Sequence, residues 1–143
     1  ATDAGVGTRR VKITKSADQL VAEEVWTSRK LKADFSDFVI YENHLYGFDG
    51  SIFACLDLAT GERKWKGGRY GKGQVLLLAD SGLLLVAGEQ GQGVLVRASP
   101  DDHEQLAEVQ LIEGKSWSHP VVVGDRLFLR NAQQAVCWRL PQS

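Results

Sequence analysis

A repeat with a period near 41 residues runs through almost the whole chain. Three segments share one layout: an apolar strand, a turn, a second strand ending near Gly or Asn, another turn, and a third strand. The first copy occupies 38–41, 43–47 and 52–57, the second 75–79, 83–88 and 94–98, the third 120–123, 126–131 and 136–140. Anchor residues keep step. Gly47 and Gly88 are 41 positions apart, Gly88 and Asn131 are 43, Trp26 and Trp65 are 39, and Cys55 and Cys137 are 82, or two periods. A unit of this size made of short strands cannot bury its apolar face alone and must stack on a neighbour. It is the size of one four-stranded antiparallel blade of a β-propeller.

The fourth strands follow. Glu62-Arg63-Lys64-Trp65 comes after the turn Ala59-Thr60-Gly61, and 105–110 after Ser99-Pro100-Asp101-Asp102. Upstream, Val11-Lys12-Ile13 and Glu24-Val25-Trp26-Thr27 read as the last two strands of an earlier unit. Composition alone also allows a helix over 16–30. The β-branched cluster and the repeat register favour strand. The expected class is therefore all-β: thirteen strands, about three to three and a half blades, in one partial propeller domain. Its units are 1–34 (the end of a leading blade), 35–68, 69–113 and an incomplete 114–143. Closed propellers have four to eight blades, so 143 residues are too few to close a ring. Strand edges left uncovered invite pairing, with further blades of a longer protein or with a second copy that closes the ring.

Composition removes several classes. A formal net charge of −1 gives no basic field for nucleic acid or an anionic membrane surface. With 43% hydrophobic and 24% charged residues the chain is of globular composition, not a disordered tail. The longest apolar runs, 75–79 and 83–87, are too short for a membrane span. Two cysteines are too few for a disulfide scaffold, and at equivalent positions two repeats apart they lie on different blades, so both read as buried small hydrophobes. Methionine is absent, and the opening Ala1-Thr2-Asp3-Ala4-Gly5 has neither a charged nor an apolar leader region. Either a leader has been removed or the chain is a piece of something longer, and the repeat favours the latter.

The segment Ala54-Cys55-Leu56-Asp57-Leu58-Ala59-Thr60-Gly61-Glu62-Arg63-Lys64-Trp65 resembles the repeat motif of the pyrroloquinoline-quinone-type (PQQ-like) β-propellers, through Ala54, Asp57, Thr60, Gly61 and Trp65. Its physics is direct: Thr-Gly makes a tight turn with Gly free to take positive φ, Asp57 caps that turn, and Trp65 packs one blade on the next, as does Trp26. Tyr46-Gly47-Phe48-Asp49-Gly50, Trp117-Ser118-His119-Pro120-Val121 and 126–131 are similar to this family too. The second repeat lacks the motif's Trp, and the third stops before its turn. The resemblance implies the C-terminal half of a seven- or eight-bladed propeller from a bacterial, non-enzymatic member, in the periplasm or cell envelope. The quinoprotein dehydrogenases of the family hold PQQ with Ca²⁺, a catalytic Asp, a stacking Trp and often a vicinal Cys pair. No adjacent pair of cysteines occurs here, so no cofactor is expected.

No other chemistry is signalled. His44, His103 and His119 have no partners at metal-ligand spacing, and no Asp-x-Asp-x-Asp-Gly calcium loop is present. Asp101-Asp102-His103 reads as a solvated turn, and His44 as a surface hairpin residue. Residues 67–73 are glycine-rich, but Lys66 stands where a phosphate loop needs Gly, and Gly73 follows Lys72 instead of Ser or Thr. Residues 88–93 lack the helix of a dinucleotide fingerprint. Ser116, Ser118 and His119 lack a nucleophile elbow. Register does converge one polar set. In a propeller the first strand of each blade lines the axis, and the segments leading into those strands are Ser36-Asp37, 72–74 and Ser118-His119, with Arg69, Tyr70 and Trp117 just upstream. The candidate set is Asp37, Arg69, Tyr70, Lys72, Gln74, Trp117 and His119. Filling the channel mouth with mutually bonded groups is the simpler reading; a site for a protein partner or small polar ligand is the other. The expected function is a non-catalytic binding scaffold, the alternative the non-catalytic half of a PQQ/Ca²⁺-dependent oxidoreductase.

Overall fold

The computed structural model describes residue 1 and residues 5–141. Among them are thirteen strands and no α-helix, only a 3-10 turn at Ala79–Ser81. A leading hairpin pairs β1 (Thr8–Ser16) with β2 (Gln19–Ser28). The first full sheet holds β3 (Phe38–Tyr41), β4 (His44–Asp49), β5 (Ile52–Asp57) and β6 (Arg63–Arg69). The second holds β7 (Gln74–Leu78), β8 (Leu83–Ala87), β9 (Gln92–Arg97) and β10 (Gln105–Gln110). The last has β11 (Val121–Val123), β12 (Arg126–Arg130) and β13 (Ala135–Arg139). Within each sheet every strand pairs antiparallel with its sequence neighbour, so each sheet is a meander, as the period requires. Among the described residues no helix is long and apolar enough to cross a membrane.

The turns explain the register. Glu42 and Asn43 both take positive φ, 44° and 63°, the two-residue geometry whose twist suits a hairpin. Asp57 Oδ1 accepts the N–H groups of Ala59 and Thr60, each at 2.8 Å, and the Thr60 hydroxyl at 3.0 Å. The Thr60 and Ala59 donors hold its carboxyl below the usual range, desolvation opposing. Gly61 completes the turn at φ +73°.

Period-two alternation then sets the stacking. On β8, Leu84 and Val86 face the first full sheet while Leu85 and Ala87 face the last. The main core joins Tyr46, Phe48, Phe53, Cys55, Trp65 and Tyr70 to Val75, Leu84, Val86, Val94 and Val96. Each such side chain contributes about 1.5–3 kcal/mol when fully buried. A smaller cluster of Leu31, Ala33, Leu45, Ala54 and Leu56 lies against the first sheet, and Leu85, Ala87, Leu111, Leu127 and Leu129 join the second to the last. Tryptophans fasten these joints. Trp26 Nε1 donates to the Leu58 carbonyl (3.0 Å) and Trp65 Nε1 to the Ser99 carbonyl (2.8 Å), each reaching the turn before the fourth strand of the next sheet. Leu106 takes that position in the second sheet, and there β10 shifts register.

Two expectations need correction. Cys55 is buried, but Cys137 is exposed. Cys137 pairs with Phe128 on the face opposite Leu127 and Leu129, a face left open to solvent with Val121 and Val123 exposed. His103 is not a solvated turn residue. Its ring lies 5.5 Å from Trp65 and 6.0 Å from Tyr70, inside the joint between the two full sheets.

Candidate functional site

The first strands of the three larger sheets lie at one edge of each sheet, and β3 and β7 are neighbours there. The segments leading into β3, β7 and β11 therefore meet. Gln74 is the node. It is buried; its Oε1 accepts the Asp37 N–H (2.9 Å), and its Nε2 donates to the carbonyls of Phe35 (3.3 Å) and Trp117 (3.2 Å). One amide thus ties together lead-ins from three sheets. Above it, His119 Nε2 and Asp37 Oδ2 are 2.6 Å apart, across 82 residues of sequence, with both side chains accessible to solvent.

Aromatic and charged groups frame this node. Trp117 is half exposed, donates Nε1–H to Glu89 Oε1 (3.2 Å) and meets the Phe35 ring edge-on at 5.2 Å. Lys72 pairs with Asp34 and lies 5.9 Å over the Phe35 ring; Lys115 lies 5.7 Å over Trp117. Partial burial pushes the Glu89 carboxyl up, but the Lys72 N–H, the Trp117 indole and Lys115 outweigh it and hold the group below the usual range.

The structure brings together Asp37, Lys72, Gln74, Trp117 and His119. Arg69 and Tyr70 stand elsewhere. Arg69 ends the outer strand β6, opposite Ile52, with its side chain in solvent. Tyr70 turns into the joint between sheets, where it is buried and donates to Gln105 Oε1 (2.8 Å) with His103 Nε2 2.9 Å away. With the phenol proton on Gln105, His103 must carry its proton on Nε2 to complete the pair. Burial pushes the Tyr70 phenol up to about 12, helped by Glu108. Burial also holds His103 below its ordinary value, Asp102 opposing.

Sequence reasoning missed Phe35, Asp34, Glu89 and Lys115. A signal existed for Glu89. Asp49 Oδ1 accepts the Lys32 N–H (3.1 Å), and Glu89 Oε2 accepts the Lys72 N–H (3.4 Å). Both partners are shifted by the same 40 positions, so an acid at the end of the second strand pins its own sheet's lead-in. Among the described residues no group of three or more His, Cys, Asp or Glu side chains stands where it could hold a metal ion.

No known family's sequence profile matches the chain, and no curated protein matches it. Solved structures do. BamB from Moraxella catarrhalis aligns at a TM-score of 0.63 and 19% identity, over 97% of this chain and 45% of that one. The computationally designed Ika8 protein aligns at 0.64 and 8% identity, over 91% of this chain and 46% of that one. The chain thus spans under half the length of each structure. At such identities the likeness is one of fold, and together with the stacked antiparallel sheets it makes this chain part of a β-propeller.

Proposed function

We propose that the chain is a non-catalytic scaffold, of the PQQ-like repeat type and from the periplasm or cell envelope, that binds a protein partner or small polar ligand where its first strands converge. The observation that carries this reading is the way Gln74 gathers three lead-ins under an accessible layer of Asp37, Trp117 and His119. A buried, fully bonded amide fixes the backbone there, and groups held rigidly at a surface bind with less ordering cost. The motif at Ala54, Asp57, Thr60, Gly61 and Trp65 supports the repeat type, and the capped turn it forms agrees with that motif's physics.

The test compares the native chain with an Asp37→Ala/His119→Ala double variant of matched thermal unfolding. Each is immobilised and exposed to envelope extract, and bound species are identified by mass spectrometry. A partner or metabolite retained by the native chain and at least about tenfold depleted on the variant, a loss near 1.4 kcal/mol, supports the reading. Enzymatic turnover that disappears on His119→Ala or Asp37→Ala overturns it. Titration of the parent protein with PQQ and Ca²⁺ covers the oxidoreductase alternative, which a spectral change or Ca²⁺ dependence would favour.

A further inference from the structure

Most charged groups on this face already have partners: Asp37 with His119, Asp34 with Lys72, and Glu89 with Trp117 and, at 3.6 Å, Lys115. The groups left facing outward lie beside Trp117. An open cleft of about 800 Å³ runs between the lead-in to β11 and the β12–β13 turn. Lys115, Trp117 and Ser118 wall one side, Arg130 and Gln133 the other.

Both walls are fixed. Asn131 Oδ1 accepts the N–H groups of Gln133 and Gln134 (3.0 Å each), and its Nδ2 donates to the Glu113 carbonyl (2.7 Å). Ser116 Oγ, buried, donates to the Arg130 carbonyl (2.8 Å) and so ties one wall to the other. The indole of Trp117 is held by Glu89 at its N–H and by the Phe35 edge, yet it stays 50% exposed. A ring immobilised in this way offers apolar surface at little entropic cost, and the exposed Lys115 ammonium 5.7 Å over its centroid is the group that a stacked ligand would displace. Among the described residues the Arg130 guanidinium, the Gln133 amide and the Ser118 hydroxyl have no intramolecular side-chain partner.

The geometry points to a binding site for a saccharide carrying one carboxylate per sugar, its ring face on Trp117 and its carboxylate on Arg130. A pyranose has an apolar C–H face that matches an indole, and hydroxyls around its rim that match Gln133 and Ser118. The guanidinium fork matches a carboxylate in bidentate geometry. A phosphate dianion is served less well, because Lys115 is already shared with Glu89 and the acidic residue Glu113 lines the same cleft. This inference rests on the scaffold reading above and names its ligand.

The test is an NMR titration of the ¹⁵N-labelled chain, following the Trp117 indole N–H, assigned with Trp117→Phe. The probes are trigalacturonate, a neutral trigalactoside and adenosine monophosphate, each to about 10 mM, enough to fill a millimolar site. The expected result is a saturable shift with trigalacturonate, about tenfold weaker binding of the neutral sugar, and a similar loss in Arg130→Gln, whose exposed position leaves the fold intact. The inference is overturned by no shift, by equal binding of the neutral sugar, by an Arg130→Gln affinity equal to native, or by tighter binding of the nucleotide. Retention that still depends on Asp37 and His119, with no saccharide shift, removes the saccharide and leaves the scaffold standing. Loss of both removes both.

Discussion

Replacing Gly61 by Ala tests the physical reason for the Thr-Gly turn. Two costs apply there. Gly61 has φ +73°, a region in which an L side chain costs about 1–2 kcal/mol. A Cβ would also stand 2.8 Å from Cδ2 and Cε3 of Trp26 and 3.3 Å from Cβ of Ser28. Trp26 cannot yield freely, because its indole donates to the Leu58 carbonyl and Ser28 Oγ donates to the Gly61 carbonyl. Relieving the overlap loses part of that packing, a further cost of about 1–3 kcal/mol. Gly50 is the internal control. Its φ is +66°, but nothing lies within 4 Å of an added Cβ, so Gly50→Ala carries the backbone cost alone. Urea denaturation should place Gly61→Ala about 2–5 kcal/mol below native and Gly50→Ala about 1–2 below. In a Trp26→Ala background the excess at Gly61 should vanish, giving a coupling of about 1–3 kcal/mol in the double-mutant cycle. Equal losses at the two glycines, or no coupling to Trp26, would refute the reasoning.

Trp65→Phe keeps a ring in the main core but loses the N–H to Ser99, and calorimetry should show a loss of about 1–2 kcal/mol, against about 3–5 for Trp65→Ala. Gln74→Ala leaves the part-buried Asp37 N–H and two carbonyls without this partner; about 1–3 kcal/mol should be lost, with faster amide exchange at Asp37 as the local readout. An aromatic disulfide reagent at pH about 8 should titrate Cys137 alone in the native chain and both thiols in denaturant, since Cys55 is fully buried and burial pushes its thiol up to about 12. His103 has a folded pKa below its unfolded value, so the unfolded chain takes its proton first. Stability should therefore be level above pH about 6.5 and fall as the pH drops through and below that value, and His103→Gln should flatten the fall.

The all-β meander was legible because its signals are local. Alternating apolar positions mark the strands, and residues that tolerate positive φ mark the turns. Spacing then assigns each strand to a unit, and the observed grouping of two, four, four and three follows that assignment. What packs on each face is not local. Gly67 shows the difference. In sequence it belongs to a glycine-rich stretch that ends a strand expected over 62–65. In the fold β6 continues to Arg69, and a Cβ on Gly67 would meet the His103 ring at 2.8 Å. The missing side chain makes room for a partner 36 positions away, which composition cannot name. Cys137 fails for a related reason. Its repeat position predicts burial only where another sheet packs on that face, as happens for Cys55 and not for Cys137.

The convergent site follows the same division. Asp37, Gln74 and His119 come together because register places the first strand of every unit on the axis, and a lead-in inherits that position. Sequence proximity to β7 points to Arg69 and Tyr70 as well, but chain direction separates them. Arg69 still belongs to the outer strand of one sheet, and Tyr70 is the step at which the chain dives between sheets before it returns to the axis at Gln74. A register accurate to one or two residues cannot resolve that reversal, because a single position moves a side chain from one face to the other. Glu89 is the instructive case. It gives no motif of its own, yet shifting Asp49 and Lys32 by one period lands on Glu89 and Lys72, so a contact in one unit predicts its counterpart in the next. In a repeat protein the transferable signal is the pair, not the residue. Where one member changes type, as Asn131 does when its amide donates to the Glu113 carbonyl, the clamp persists with its donor and acceptor exchanged.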